Sequence, residues 1–226
     1  MGTDRDLVWD GCLNVRDLGG HPTTDGGETR FGSIVRADSV SQLTECGWAA
    51  LVEHGIRTVI DLRGDHERED DSPRELEVDV QHVPFMEANE REWEEIGAEI
   101  EAAAAAAPDI ETSTRDVYLI FLERFKANVG ASVRAVARAP EGGLVVHCVG
   151  GKDRTGLLAA LLLRLVGVPM EVVEADYVRS EAPRHVIGLV LGEAQARHGS
   201  TAEYLLHAGA SEAELERIGR RFLTRA

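Results

Sequence analysis

Ten consecutive residues constrain this chain more than the other 216. They are His147-Cys148-Val149-Gly150-Gly151-Lys152-Asp153-Arg154-Thr155-Gly156. An apolar, β-branched run, Leu144-Val145-Val146, leads into them, and a helical stretch from Thr155 to Val166 leads out. That helix is apolar on nearly every side, as expected of one buried in a core. A cysteine and an arginine separated by five residues, in a glycine-containing loop between strand and helix, make a cradle for a phosphate dianion. The backbone amides from Val149 to Arg154 can turn inward, and the helix adds its positive N-terminal end. Arg154 closes the ring with a planar fork suited to two phosphoryl oxygens. The same field should hold Cys148 as a thiolate. A thiolate aimed at a bound phosphorus is a nucleophile for phosphoester hydrolysis.

Composition narrows the surroundings of that loop. At 226 residues, the chain has the length of one well-cored domain, 1–226, with room for an inserted helical segment at about 85–115. The net charge of −16 is concentrated: residues 65–111 carry −14 of it, and the half from 112 onward is close to neutral. So acidic a chain makes a poor general nucleic-acid binder. The longest apolar run, Leu157 to Leu163, is far short of a membrane span, so stable membrane insertion is not expected. The acidic start lacks the marks of a secretory signal. Three cysteines form no disulfide framework. A reducing, cytoplasmic setting fits a thiolate nucleophile best, with signal-independent export left open.

Along the chain, residues 8–20 read as an extended segment ending in a glycine turn. Strands are predicted at Phe31–Arg36, Ile56–Leu62 and Val78–Val83, before the strand that leads into the loop. Helices are predicted at Leu43–His54, with Thr44 as its cap, at about Glu90–Ala107, over Asp116–Ala139 as one long element, and through most of the chain after Glu171. The alternation predicts an α/β fold, a central mainly parallel sheet flanked by helices. Ligands of such sheets sit beyond the C-terminal strand ends. That edge would bring Asp61 and Arg63 near the loop.

The HCxxGKDRTG pattern of His147 to Gly156 resembles the bacterial and fungal tyrosine-phosphatase-like family, whose members are described as dual-specificity, triple-specificity or phosphoinositide phosphatases. Further stretches carry the resemblance: Asn14-Val15-Arg16-Asp17-Leu18-Gly19-Gly20, Gly32-Ser33-Ile34-Val35-Arg36, Gly55 to Arg63, and Asp176-Tyr177 followed by Ser180. Two positions depart from the pattern: Gly150, where alanine is more usual, and Ala37-Asp38, where serine often follows the arginine. The resemblance implies the fold of the cysteine-dependent phosphatases, no metal or other cofactor, and a phosphorylated protein or phosphoinositide as substrate.

Each residue then has an expected role beside a plainer one. Cys148 attacks phosphorus and forms a phosphocysteine, or is a buried structural thiol. Arg154 stabilises the equatorial oxygens; a surface arginine is disfavoured at a helix start unless an anion is present. Thr155 donates to the sulfur or caps the helix. His147 fixes the loop backbone. The resemblance points to Asp153 as the acid that protonates the leaving group, with Asp61 as runner-up. Asp61 would otherwise hold Lys152 or pair with Arg63. Lys152 widens the candidate substrates toward multiply charged phosphates, or is merely an exposed loop lysine. Asn14, Arg16 and Asp17 brace the loop from below, and Arg36 approaches it from its strand end. The helix around Trp93–Ile100 forms a lid over the site or packs at the periphery. Cys12 and Cys46 could serve as resolving thiols but fit ordinary core positions better. The loop lacks the glycine spacing and the serine or threonine of a nucleotide-binding loop, and His66 to Asp70 lacks the second histidine of a zinc helix. The rivals to a phosphatase are a catalytically silent phosphate-binding module and another thiolate enzyme, for sulfur transfer or arsenate reduction.

Overall fold

The computed structural model describes residues 5–71, 77–183 and 185–224. Its centre is a sheet of five strands: β1 (Arg16–Asp17), β2 (Ile34–Ala37), β3 (Ile56–Asp61), β4 (Asp79–His82) and β5 (Gly143–His147), in the order β1-β2-β5-β3-β4. Only β1 runs antiparallel to its neighbour; β2, β5, β3 and β4 are parallel. The central strand β5 is apolar at consecutive positions, Leu144 to Val146, and buried throughout. Leu144 and Val146 of β5 join Ile34 and Ile60 on one face, whereas Val145 lies between Val35 and Val59 on the other. Side chains of a strand point to opposite faces in turn, so both faces of β5 are buried.

The helices divide unequally between those faces. One face is covered by α1 (Glu45–Glu53) with Trp9, Val15 and Leu43. Thr44 caps α1 as predicted, accepting from the Gly47 amide at 3.2 Å. The larger core lies on the other face, beneath α3 (Ile110–Arg124), α4 (Lys126–Arg138), α5 (Arg154–Leu165), α6 (Met170–Val178), α7 (Val186–His198), α8 (Thr201–His207) and α9 (Glu212–Phe222). Nine consecutive residues of α5, Thr155 to Leu163, are buried, in line with its apolar composition. Among the described residues no helix is long and apolar enough to cross a membrane.

One long helix expected over 116–139 is two. α3 begins at Ile110 because Asp109 caps it through the Thr112 amide, and it ends at Phe125, where the backbone leaves the helical region (φ −105°, ψ 25°). The Phe125 ring turns inward, 5.2 Å from Trp93 and 6.3 Å from Phe121. Trp93 belongs to α2 (Glu90–Ala106), which packs on α3 through this ring contact and the Arg124–Glu99 ion pair. The acidic segment therefore stands against α3 rather than apart from the core.

Candidate active site

β5 ends at His147 and α5 starts at Arg154, so the loop Cys148–Asp153 lies at the sheet edge where β2 and β3 also end. Its carbonyls face outward. The Val149 carbonyl accepts from the Ser39 amide at 2.9 Å, and the Asp153 carbonyl from the Leu157 amide at 2.8 Å. The Gly150 carbonyl accepts from Asn14 Nδ2 at 3.0 Å, and the Gly151 carbonyl from Arg36 Nη2 at 2.7 Å. Peptide planes whose carbonyls are held from outside turn their amides inward. Among the described residues, the amides of Val149 to Asp153 meet no acceptor. Gly151 has φ +67°, and a Cβ there would lie 2.7 Å from the Ala37 carbonyl oxygen, so only glycine fits. A Cβ on Gly150 would meet nothing within 4 Å, so its departure from the family pattern forfeits no packing contact. Cys148, the first residue of this loop, is buried, 2% exposed.

Arg154 occupies the first turn of α5, where its positive charge opposes the helix dipole. Glu67 compensates: its two carboxylate oxygens take both terminal nitrogens of the guanidinium, at 2.7 Å for Nη2 to Oε1. Glu67 is itself fixed by the Gly64 amide, 2.7 Å from Oε2. The hydrogen bonds from Arg154 are the largest cause holding the Glu67 carboxyl below its ordinary range. Burial alone would favour neutral Arg154, but the bonds to Glu67 and the charges of Cys148, Glu67 and Asp153 outweigh it, and its pKa is raised. This also puts Cys148 within electrostatic reach of the guanidinium. Arg154 and Asp153 open on a cleft of about 500 Å³, walled by Glu67, Met86, Trp93, Val117 and Phe121 among others.

Asp153 is the residue before α5, yet its side chain caps no amide of that helix. It accepts instead from the Tyr118 hydroxyl on α3, which in turn accepts from the Tyr177 hydroxyl at 2.8 Å. The neighbour of Tyr177, Asp176, takes Arg36 Nη1 at 2.7 Å and Arg16 Nε at 3.3 Å. All three charged side chains are at most 3% exposed. Burial would push the Asp176 carboxyl up, but the two guanidiniums bring it down to about 2. Arg16 also donates to Asn14 Oδ1 and Ser180 Oγ, tying the N-terminal element and the turn after α6 into the same network. Two cations share one carboxylate here, leaving a surplus of positive charge directly behind the loop.

Most predicted site residues gather at this edge, with corrections. Asn14 and Arg36 brace the loop directly and Arg16 does so through them, but Asp17 does not. Its carboxylate accepts from the amides of Gly19 and Gly32 and pairs with His54 at 2.8 Å, holding the glycine turn instead. Lys152 is held by the Glu181 carbonyl at 3.2 Å and not by Asp61. Asp61 is 2% exposed, enclosed by Arg63 at 2.8 Å and Arg68 at 3.1 Å, beside a separate cavity of about 100 Å³. Burial pushes its carboxyl up, yet the bonds from Arg63 foremost leave it below its ordinary range. His147 Nδ1 lies 3.1 Å from the Cys148 carbonyl oxygen and Nε2 3.6 Å from Asp61; burial foremost lowers its pKa, which suits a structural imidazole.

Thr155 neither caps α5 nor donates to sulfur. Its buried hydroxyl has no partner among the described residues. Cys46 is exposed rather than in the core, and Cys12 is half-buried with its thiol on the Ser39 carbonyl. Burial, then Asp38, pushes the Cys12 thiol up to about 12, which makes it a poor resolving nucleophile. Among the described residues no group of three His, Cys, Asp or Glu side chains could hold a metal ion. Sequence reasoning missed Glu67 and Tyr118. Glu67 stands in the stretch read only as a failed zinc motif, and Tyr118 lies in the first turn of a predicted helix with nothing local to mark it.

A family model described as the tyrosine phosphatase family matches residues 7–187. The chain belongs to the tyrosine phosphatase family. It is similar to the triple specificity protein phosphatase PtpB of Mycobacterium tuberculosis, 29% identical over 189 residues that cover 75% of this chain and 67% of that protein. A Cupriavidus necator protein provisionally named a tyrosine-protein phosphatase is 29% identical over 181 residues, covering 77% of this chain and 63% of its own. A tyrosine-protein phosphatase of Nostoc commune is 29% identical over 152 residues, covering 66% and 48%. The chain thus spans between about half and two thirds of the length of these relatives. Its place among phosphatase hydrolases follows from the family.

Proposed function

We propose that this protein hydrolyses phosphate monoesters, phosphotyrosine foremost, through a phosphocysteine intermediate. The observation that carries the reading is the loop between Cys148 and Arg154, whose carbonyls are held from outside and whose amides from Val149 to Asp153 meet no acceptor among the described residues. Cys148 Sγ attacks phosphorus as the bond to the leaving oxygen breaks, and Asp153 gives that oxygen its proton. Water then attacks phosphorus, Asp153 takes the proton back, and the sulfur–phosphorus bond breaks to release inorganic phosphate. The amides of Val149 to Arg154 and the guanidinium of Arg154 stabilise the equatorial oxygens in both steps. Glu67 grips the guanidinium end-on, leaving its Nε side for the phosphoryl group. The surplus charge of Arg16 and Arg36 behind the loop favours an anion within it. Asp153 is favoured over Asp61 as the acid because it borders the cleft beside Arg154, whereas Asp61 is locked against two arginines.

The cleft supports an aromatic substrate. Its walls offer Trp93, Phe121, Met86 and Val117 to a phenyl ring. The case for phosphoinositides, which with phosphoserine and phosphothreonine are the wider readings, rests on the resemblance and on Lys152, whose side chain is turned to the Glu181 carbonyl. α2 supplies one wall through Trp93, the role we assign to the acidic segment of this single domain. Turnover of p-nitrophenyl phosphate without added metal tests the activity. Cys148→Ser is expected to abolish turnover while tungstate still binds. Retained turnover in that variant removes the mechanism. A panel of phosphopeptides and inositol lipids then ranks the substrates, with phosphotyrosine expected first.

A further inference from the structure

We infer that Tyr118, itself held by Tyr177, is a positioning residue that sets Asp153 for proton transfer. The inference rests on the reading of Asp153 as the acid. A carboxyl group that donates a proton must present one chosen oxygen to the leaving group, and an unheld carboxyl on a loop presents either. The hydrogen bonds here have a defined direction. The Tyr177 hydroxyl donates to the Tyr118 oxygen at 2.8 Å, so the single proton of Tyr118 is committed to Asp153 Oδ1. Oδ2 is left to carry the transferable proton. Both rings are almost fully buried, so neither hydroxyl competes for water. Burial raises the pKa of both phenols, that of Tyr177 to about 12, so the pair stays neutral and acts only by donating.

Two further observations show that the arrangement is built. As the residue at the helix start, Asp153 would ordinarily accept from an amide of the first turn, but it makes no such bond and is turned to Tyr118. The Tyr177 ring reaches its place only because residue 156 is glycine: a Cβ there would fall 2.8 Å from the ring. Tyr177 and Asp176 are consecutive on α6. Through Tyr118 the first steadies Asp153, and through Arg36 the second steadies Gly151. One helical turn thus grips both shoulders of the loop.

The test compares kcat/KM for aryl phosphates of graded leaving-group basicity in Asp153→Asn, Tyr118→Phe, Tyr177→Phe and the Tyr118→Phe/Asp153→Asn double variant. Asp153→Asn is expected to lose most with phenyl phosphate and least with a dinitrophenyl phosphate. Tyr118→Phe is expected to lose about tenfold with phenyl phosphate and less than about twofold with the dinitrophenyl ester. Tyr177→Phe, which keeps the ring and frees the Tyr118 proton to point elsewhere, is expected to lose about threefold with phenyl phosphate only. In the Asp153→Asn background, Tyr118→Phe should add no leaving-group dependence. If Tyr118→Phe slows every ester equally, or none, while Asp153→Asn discriminates among them, the inference fails and the acid assignment stands. If Asp153→Asn itself shows no discrimination, the acid assignment fails and takes the inference with it. Should Tyr118→Phe not fold, Tyr177→Phe decides alone: a uniform effect or none overturns the inference.

Discussion

The two ends of β5 use arginine in opposite ways. Where β5 begins, at Gly143, a cavity of about 710 Å³ is lined by Arg30, Arg217, Arg220 and Arg221, an unexpected gathering in so acidic a chain. Arg221 donates to the carbonyls of Pro140 and Gly142 at 2.6 and 2.7 Å and to that of Ala139, just beyond the C-terminal end of α4. Arg30 donates to the carbonyls of Arg220 and Arg221 at the end of α9. These cations sit where the helix dipole welcomes them, and they satisfy carbonyls that have no partner within the helix. Where β5 ends, Arg154 sits at a helix N-terminus, where the dipole repels it, and Glu67 is needed to hold it there. The first arrangement stabilises the fold. The second is poised for an anion.

The largest effect should come from the second kind of arginine. Arg154→Lys keeps the charge but loses the planar fork, and kcat is expected to fall about a thousandfold, with a thermal midpoint close to that of the parent. A variant that keeps a tenth of the activity would break the contrast. Next comes acid. The arginines behind the loop are held by a buried carboxylate, whereas Arg30 and Arg221 at the far edge donate to carbonyls, which do not titrate. Asp176 sits at about 2 in the folded protein against 3.8 ordinarily, so the unfolded chain takes up the proton first as pH falls. Its contribution of about 2 kcal/mol is complete above about pH 4 and is lost on the way down to about pH 2. Unfolding in denaturant at stepped pH should show this loss in the parent. An Asp176→Asn protein that is folded but equally sensitive over that range would refute the assignment. The smallest effect is expected from Arg221→Met: a loss of about 1 kcal/mol in stability, seen as a thermal midpoint lower by about 2–4 °C, with activity within twofold. A loss of activity without a loss of stability would reverse the roles of the two ends.

How far this could be read from sequence depended on distance along the chain. The strand, the loop and the apolar helix lie within 22 consecutive residues, Leu144 to Leu165, and each declares itself by local pattern. The unbroken apolar run that buries both faces of β5 is visible in three residues, Leu144 to Val146. Asn14 and Arg36 were found through the resemblance rather than through any spacing of their own. What escaped lies at long range. Glu67 meets Arg154 from 87 positions away, and Tyr118 meets Asp153 from 35, each brought in by tertiary packing with no local signature. The break at Phe125 carries neither glycine nor proline. It is made by burial of an aromatic ring, and propensity alone would run the helix through it. Asp61 does lie beside His147 at the foot of the loop and does pair with Arg63, one of its two expected roles; position on a sheet edge could not say that Arg68 would close on it as well.

The exposure of Cys46 has a practical consequence. An alkylating reagent, a maleimide dye or an electrophilic inhibitor can be taken up by that exposed thiol on α1 as well as by the buried one at position 148. One equivalent of label incorporated therefore says nothing about occupancy of the loop, and a background of Cys46→Ser is the right starting material for covalent chemistry on this enzyme.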